Sequence, residues 1–170
     1  MGLGNPGKKY EKNRHNVGFK VVEKLGEVLG EGKFVLEKRW EAKVMRIDDL
    51  ILVKPTTFMN ASGRAVRKIK DYFKIDLDDV WVIHDDLDVV LGEHKIQKGK
   101  GPKIHNGLGS VEESLGEDGF WRVRAGVDGR GGKRRESGEE YVLKDFSKRE
   151  KEVVKRMING VVEEFLVVLA

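Results

Sequence analysis

The chain has 170 residues, 39% of them hydrophobic and 36% charged, with a net charge of +4 and no cysteine. That length supports one domain with a sizeable core and argues against two. The missing cysteines exclude disulfides, thiol nucleophiles and thiolate metal sites. No apolar run is long enough to span a bilayer and no signal-peptide pattern opens the chain, so the cytoplasm, or an organelle matrix after processing, is expected.

Taken in chain order, Val17, Val21, Val22, Leu25, Val28 and Leu29 recur at helical spacing and predict an amphipathic helix over residues 16–29, entered from a loop over residues 5–15. Residues 34–36 and 42–47 read as strands, the second alternating apolar with charged side chains as in a half-exposed hairpin. A short buried strand over residues 50–53 should stop at Pro55, which has no N–H to continue a ladder. Val66, Ile69, Tyr72 and Phe73 mark a helix over residues 61–73, and residues 80–83 form an apolar strand ending in His84-Asp85-Asp86. Residues 95–97 predict a further strand, Leu108, Val111 and Leu115 one face of a short helix after Asn106, and residues 120–127 an alternating strand. Residues 129–138 read as a polar, glycine-rich loop and the mobile part of the chain. Ser147 and Glu150 form a capping box that opens a terminal helix with Val153, Val154, Met157 and Ile158 inward, and residues 161–169 continue it or add a second. Strands interleaved with helices predict an α/β fold, a single-domain three-layer sandwich with a twisted mixed β-sheet flanked by helices.

Four short stretches stand apart: Gly2-Leu3-Gly4-Asn5-Pro6-Gly7 with Arg14-His15-Asn16, Pro55-Thr56-Thr57-Phe58-Met59-Asn60, His84-Asp85-Asp86-Leu87-Asp88, and His105-Asn106-Gly107-Leu108. Asn is a poor interior residue because its amide competes with the backbone, so Asn at the end of an apolar run reads as a turn, a cap or a ligand contact. Asn5, Asn60 and Asp85 each follow a predicted strand or its remnant, and ligands of open α/β sheets bind beyond the carboxyl ends of strands. Taken singly, Asn16 and Asn60 read as helix caps, His84 as packing, Asp86 and Asp88 as turn formers or surface charges, and His105 equally as a cap or a site residue. The four His lie in separate segments, which argues against a metal site. Two basic crowds, one holding Lys95, Lys98, Lys100 and Lys103 and the other Arg122, Arg124, Arg130, Lys133, Arg134 and Arg135, are either solvated surface or a phosphate-binding face.

In this order and spacing, the four motifs resemble bacterial-type peptidyl-tRNA hydrolase, with Phe120-Trp121-Arg122-Val123-Arg124 and Tyr141-Val142-Leu143 extending the likeness to about Ser147. The resemblance implies a monomeric, metal-independent and cofactor-free esterase with one mixed-sheet domain over residues 1–170, which cleaves the bond between a peptide and the terminal ribose of tRNA. It implies that His15 is a general base activating water and Asp85 its orienting carboxylate. Asn5, Asn60 and Asn106 match amides that hold the peptide backbone, the tRNA end and the water. Tyr10 and Met59 match cleft-lining residues, and Arg124 a phosphate contact. His is suited to removing a proton near neutral pH, and an amide N–H can stabilise the oxyanion, so the residue types fit the chemistry. Asn5 and Asn106 are both candidates for that donor.

Three departures carry expectations of their own. The family has several apolar residues before Gly2, forming a central strand, so the strand is expected to be cut at Met1, leaving a gap and weakening the support of Asn5. Lys103-Ile104 stands where a Gly-Gly pair is usual and is expected to reshape the loop. Gln97 replaces a phosphate-contacting Lys, with Lys95 or Lys100 expected to compensate. A non-catalytic RNA-binding or splicing-cofactor protein on the same scaffold is the alternative, kept open by the apolar segment at residues 161–169. A generic nucleotide-binding domain rests on Gly2–Gly7 alone.

Overall fold

The computed structural model describes residues 1–30, 32–133 and 136–170, so Arg134 and Arg135 of the second basic crowd lie outside the described residues. Helix α1 (Val17–Leu29) buries Val17, Val21, Val22 and Leu25, the face that the spacing picks out. Strands β1 (Val35–Glu37), β2 (Ala42–Ile47) and β3 (Leu50–Pro55) then form an antiparallel sheet. Pro55 closes β3 opposite Ala42 rather than lying beyond it, since the last residue of a strand can forgo its donor. Helix α2 (Ser62–Phe73) precedes β4 (Trp81–Val90), β5 (His94–Lys98), α3 (Asn106–Leu115) and β6 (Trp121–Asp128). In the second sheet β4 lies parallel and β5 antiparallel to the central β6. A five-residue helix, α4 (Gly138–Val142), and the long α5 (Lys148–Leu169) complete the chain.

One apolar core gathers α1 and α5 with Ile83, Val123, Ala125 and Val127, and a second gathers Leu3, Val66, Val82, Leu108, Val111 and Phe120. These are the helical layers of an α/β sandwich. The mixed sheet consists of two three-stranded pieces, and residues 1–3 stitch them together. Gly2 N–H donates to Val53 O at 3.0 Å, Leu3 N–H to Ile83 O at 2.9 Å, and Ile83 N–H to Met1 O at 2.8 Å. The Met1 amino group donates to Trp81 O at 2.6 Å, and burial lowers its pKa to about 5. Outward from Met1 the space between the two pieces is open, a groove of about 690 Å³ bordered by Leu52, Trp81, Phe165 and Leu169.

Helix α1 crosses this seam on glycine. A Cβ on Gly18 would lie 2.3 Å from Ile83 O and 2.6 Å from Leu3 N, both backbone atoms that cannot swing aside. Gly18→Ala is expected to cost ~3 kcal/mol, the upper end of ordinary overpacking. In a domain of this size that lowers Tm by roughly 6–12 °C. A melting curve identical to the parent's would show that α1 shifts freely over the seam.

Candidate active site

The carboxylates of the third motif lie within β4 rather than after it. Asp85 and Asp86 pair in register with Ala125 and Gly126 of β6, and both are buried. A strand tolerates buried carboxylates when each finds a cation or donor. Asp86, expected as a turn former or surface charge, is 2.7 Å from Arg124 Nε and also accepts from Asp88 N–H. Asp85 meets two imidazoles.

His15 Nδ1 lies 2.8 Å and His105 Nε2 3.0 Å from the same oxygen, Asp85 Oδ1. The cap reading of His105 is seen directly, and the same ring also reaches Asp85. It is the N-cap of α3, its Nδ1 accepting from Gly107 N–H at 3.1 Å and Leu108 N–H at 3.2 Å. A nitrogen that accepts carries its lone pair, so the proton of His105 is on Nε2 and is donated to Asp85. His15 likewise donates from Nδ1, which leaves Nε2 as the lone pair for the cleft. Burial pulls the His15 pKa down, but the charge and hydrogen bond of Asp85, helped by Glu139, outweigh it and leave the pKa raised above its ordinary value. Burial would raise Asp85, yet the imidazoles of His15 and His105 hold its carboxyl far below the usual range. His84, read as packing, is fully buried, with its pKa lowered to about 3 by burial and by His105.

The donor atoms of His15, Asp85 and His105 lie within 4.8 Å of one another, close enough to suggest a metal ion. The donor chemistry does not fit one. His105 can turn a lone pair towards a cation at Nε2 only by protonating Nδ1 and losing the cap on α3, or by becoming imidazolate.

Asn5 is fixed from both sides. Its N–H donates to Asn16 Oδ1 and its carbonyl accepts from Asn16 Nδ2, each at 2.9 Å, so Asn16 braces the Asn5 loop instead of capping α1. Asn5 Oδ1 accepts from Met59 N–H at 2.8 Å, and that commits its Nδ2–H₂ to face as a donor. Asn5 is therefore held at its backbone by Asn16 and at its side chain by Met59. With Met59, Asn60, Asn106, Phe58 and His15 it lines a lobe of about 200 Å³. Asn60 is exposed on the rim, and α2 is entered without any side-chain cap. Tyr10 packs edge-on against Phe58, with ring centroids 6.4 Å apart. Met59 is buried against Gly107, whose Cβ would lie 2.4 Å from its sulfur. A larger lobe of about 410 Å³ opens on the other side of His15, lined by Leu87, Asp88, Pro102, Lys103, Ile104 and Glu136 among others. Lys103 and Ile104 thus form part of its wall, Ile104 being 87% exposed.

The basic crowds largely dissolve into structural pairs. Arg122 pairs with Glu112 and Arg130 with Asp128. Arg124 donates to Asp86 and, at 2.8 Å, to Gln97 Oε1. Lys95 stands opposite Arg124 on β5 and, like Lys100, is exposed, but none of these three cations lines either lobe.

Two residues of consequence escaped the sequence reading. Arg14 is buried, bidentate to Glu150 at 2.9 Å, donating to the carbonyls of Lys144 and Asp145, and stacked on Tyr141. It ties the His15 loop to the cap of α5. Glu139, on α4, borders both lobes. Ser137 and Glu140 form a second capping box that opens α4, a pattern as readable as Ser147 and Glu150.

Comparison with known proteins identifies the family. A family model described as peptidyl-tRNA hydrolase matches residues 1–170. A peptidyl-tRNA hydrolase of Sulfurovum sp. (strain NBC37-1) is 40% identical over 163 residues, covering 95% of this chain and 83% of the relative. One from Rickettsia bellii (strain RML369-C) is 39% identical over 175 residues, covering 99% and 91%. The crystal structure of peptidyl-tRNA hydrolase from Acinetobacter baumannii superposes with a TM-score of 0.87 at 29% identity, covering 95% of this chain and 83% of that one.

Proposed function

Since the chain belongs to the peptidyl-tRNA hydrolase family, we propose that it hydrolyses the ester of peptidyl-tRNA with His15 as general base and Asp85 as its orienting partner. The observation that carries the reading is the 2.8 Å contact of His15 Nδ1 with buried Asp85, which leaves Nε2 unprotonated in a cleft bordered by Asn5, Asn60 and Asn106. A water deprotonated by Nε2 attacks the ester carbonyl. Asn5 Nδ2–H, the donor left over once Met59 has taken its oxygen, faces the developing oxyanion. Collapse of the tetrahedral intermediate expels the ribose oxygen, which takes the proton back from His15. Asp85 holds the tautomer and stabilises the imidazolium while it exists. Asn60 and Asn106 hydrogen-bond the peptide backbone, and Tyr10 and Met59 shape that lobe. No step calls for a metal or a cofactor. As the family resemblance implies, the reading is of a monomer working on a translation product in the cytoplasm.

The test is release of tRNA from N-acetyl-aminoacyl-tRNA by the purified protein, with the unblocked aminoacyl ester largely spared. Failure to release tRNA would reject the reading. The splicing-cofactor alternative is not favoured, because the family model and the relatives are peptidyl-tRNA hydrolases; of the apolar segment at the end of α5, Val161, Val162 and Phe165 are buried while Val167, Val168 and Leu169 are exposed. No helix of the described residues is long and apolar enough to cross a membrane.

Phosphate contacts fall to Lys95 and Lys100, with Arg124 contributing the edge of its guanidinium that Asp86 and Gln97 leave unused. Removing Lys95 and Lys100 together is expected to reduce the slope of log Kd against log salt by about two, one for each phosphate left without its lysine. An unchanged slope would place the tRNA body on another face.

A further inference from the structure

Four residues border both lobes of the cleft: His15, Asn106, Val142 and Glu139. The first two have chemical roles and Val142 packs into the core, whereas Glu139 has so far only its long-range influence on His15. Its side chain is exposed and makes no hydrogen bond or ion pair among the described residues. Resting on the ester-hydrolase reading, we propose that Glu139 is a specificity-determining residue, favouring substrates whose esterified amino acid carries a cationic side chain.

A group at the junction of the lobes, next to the base, sits beside the scissile carbonyl. On the leaving side of that carbonyl the substrate offers a neutral ribose and base, then phosphates that a carboxylate repels. On the acyl side, the α-nitrogen of a peptidyl group is a neutral amide. On an N-blocked single-residue ester, the side chain of the esterified residue is the group that can bring a positive charge to this point. The field of Glu139 reaches His15, whose basicity it helps to raise, so a charge held near the reacting centre feels it too. The larger lobe suits such a side chain along its length. Leu87, Pro102 and Ile104 supply an apolar wall for a methylene stem, as Lys and Arg side chains favour, while Asp88 adds a second carboxylate. Of the two cations lining that lobe, Arg130 is already tied to Asp128 and Lys103 is exposed to solvent, which screens it.

The experiment compares kcat/KM for N-acetyl-lysyl and N-acetyl-norleucyl esters carried on the same tRNA body, which differ in the ammonium group and little else. The parent is expected to prefer the lysyl ester by roughly three- to fivefold, the range of an exposed ion pair. In Glu139→Gln the ratio should fall to about one, and in Glu139→Lys it should invert. Circular dichroism and Tm of both variants confirm that the fold is retained, as the exposed position leads one to expect. A parent without preference, or a Gln variant that keeps the preference, overturns the proposal. A parent that cleaves neither ester refutes the underlying hydrolase reading instead, and this proposal falls with it.

Discussion

Replacing His15 with Ala should lower kcat for tRNA release by roughly 10²–10⁴, the range over which a positioned general base contributes, while uncleaved tRNA still binds. The expectation follows from what the side chain alone supplies. Nδ1 is committed to Asp85 at 2.8 Å, and only Nε2 can take a proton from water. His15→Asn sharpens the test, because an amide N–H can replace Nδ1 and keep the hydrogen bond to Asp85 while deleting the base. Both variants should be equally slow. If the Asn variant turns over at the parent's rate, the imidazole serves only to hold Asp85, and the proton goes elsewhere.

Asp85→Asn should cost about 10³–10⁴ in kcat, comparable to losing the orienting carboxylate of other His-dependent hydrolases, and should also move the pH profile. In the parent, the rate falls as pH drops through a His15 pKa raised above its usual 6.5 by Asp85 and Glu139. With the carboxylate neutralised, burial remains and the main opposing influence is gone, so the acid limb should shift to lower pH. An acid limb that stays in place or moves upward would show that another group titrates there. Stability carries the opposite sign. The His15–Asp85 pair stabilises the fold fully below the unfolded pKa of His15, and that contribution is lost as pH rises through the raised folded value. The amide oxygen of Asn can still accept from both imidazoles, which in the parent share the single atom Asp85 Oδ1, so the loss is of the negative charge and not of the hydrogen bonds.

Much of this cleft was legible in the chain because its residues are of unusual type for where they stand. Asn5, Asn60 and Asn106 at the ends of apolar runs, and His15 before a helix, announce a site, and the helical and alternating patterns place α1, α2, β2, β6 and α5 to within a residue or two. What stayed hidden depends on partners distant in sequence. Asp86 reads as a surface charge until Arg124, 38 residues away, is seen to neutralise it. Arg14 has no readable role within its motif, because its acceptors lie 130 or more residues on, at Lys144, Asp145 and Glu150. Asn16 shows the same limit at short range, since the choice between capping a helix and bracing a loop depends on where Asn5 folds back. Helix α4 was missed because five residues hold too little periodicity to register, and Glu139 was missed with it.

The joint made by residues 1–3 has a further consequence for how the molecule opens. The hairpin layer of β1, β2 and β3 and the layer of β4, β5 and β6 are each internally paired, and between them run the backbone bonds of residues 1–3 and the packing of α1 against Leu52 on one side and Ile83 on the other, beside an open groove. Such a boundary divides a fold into units that can unzip separately, well below the free energy of global unfolding. Asn5 lies two residues past that boundary and takes its bearing from Met59, at the end of the hairpin layer. A transient parting of the layers would therefore unseat the amide facing the ester while leaving His15 and Asp85 paired, so that turnover fails on warming before the bulk of the protein melts.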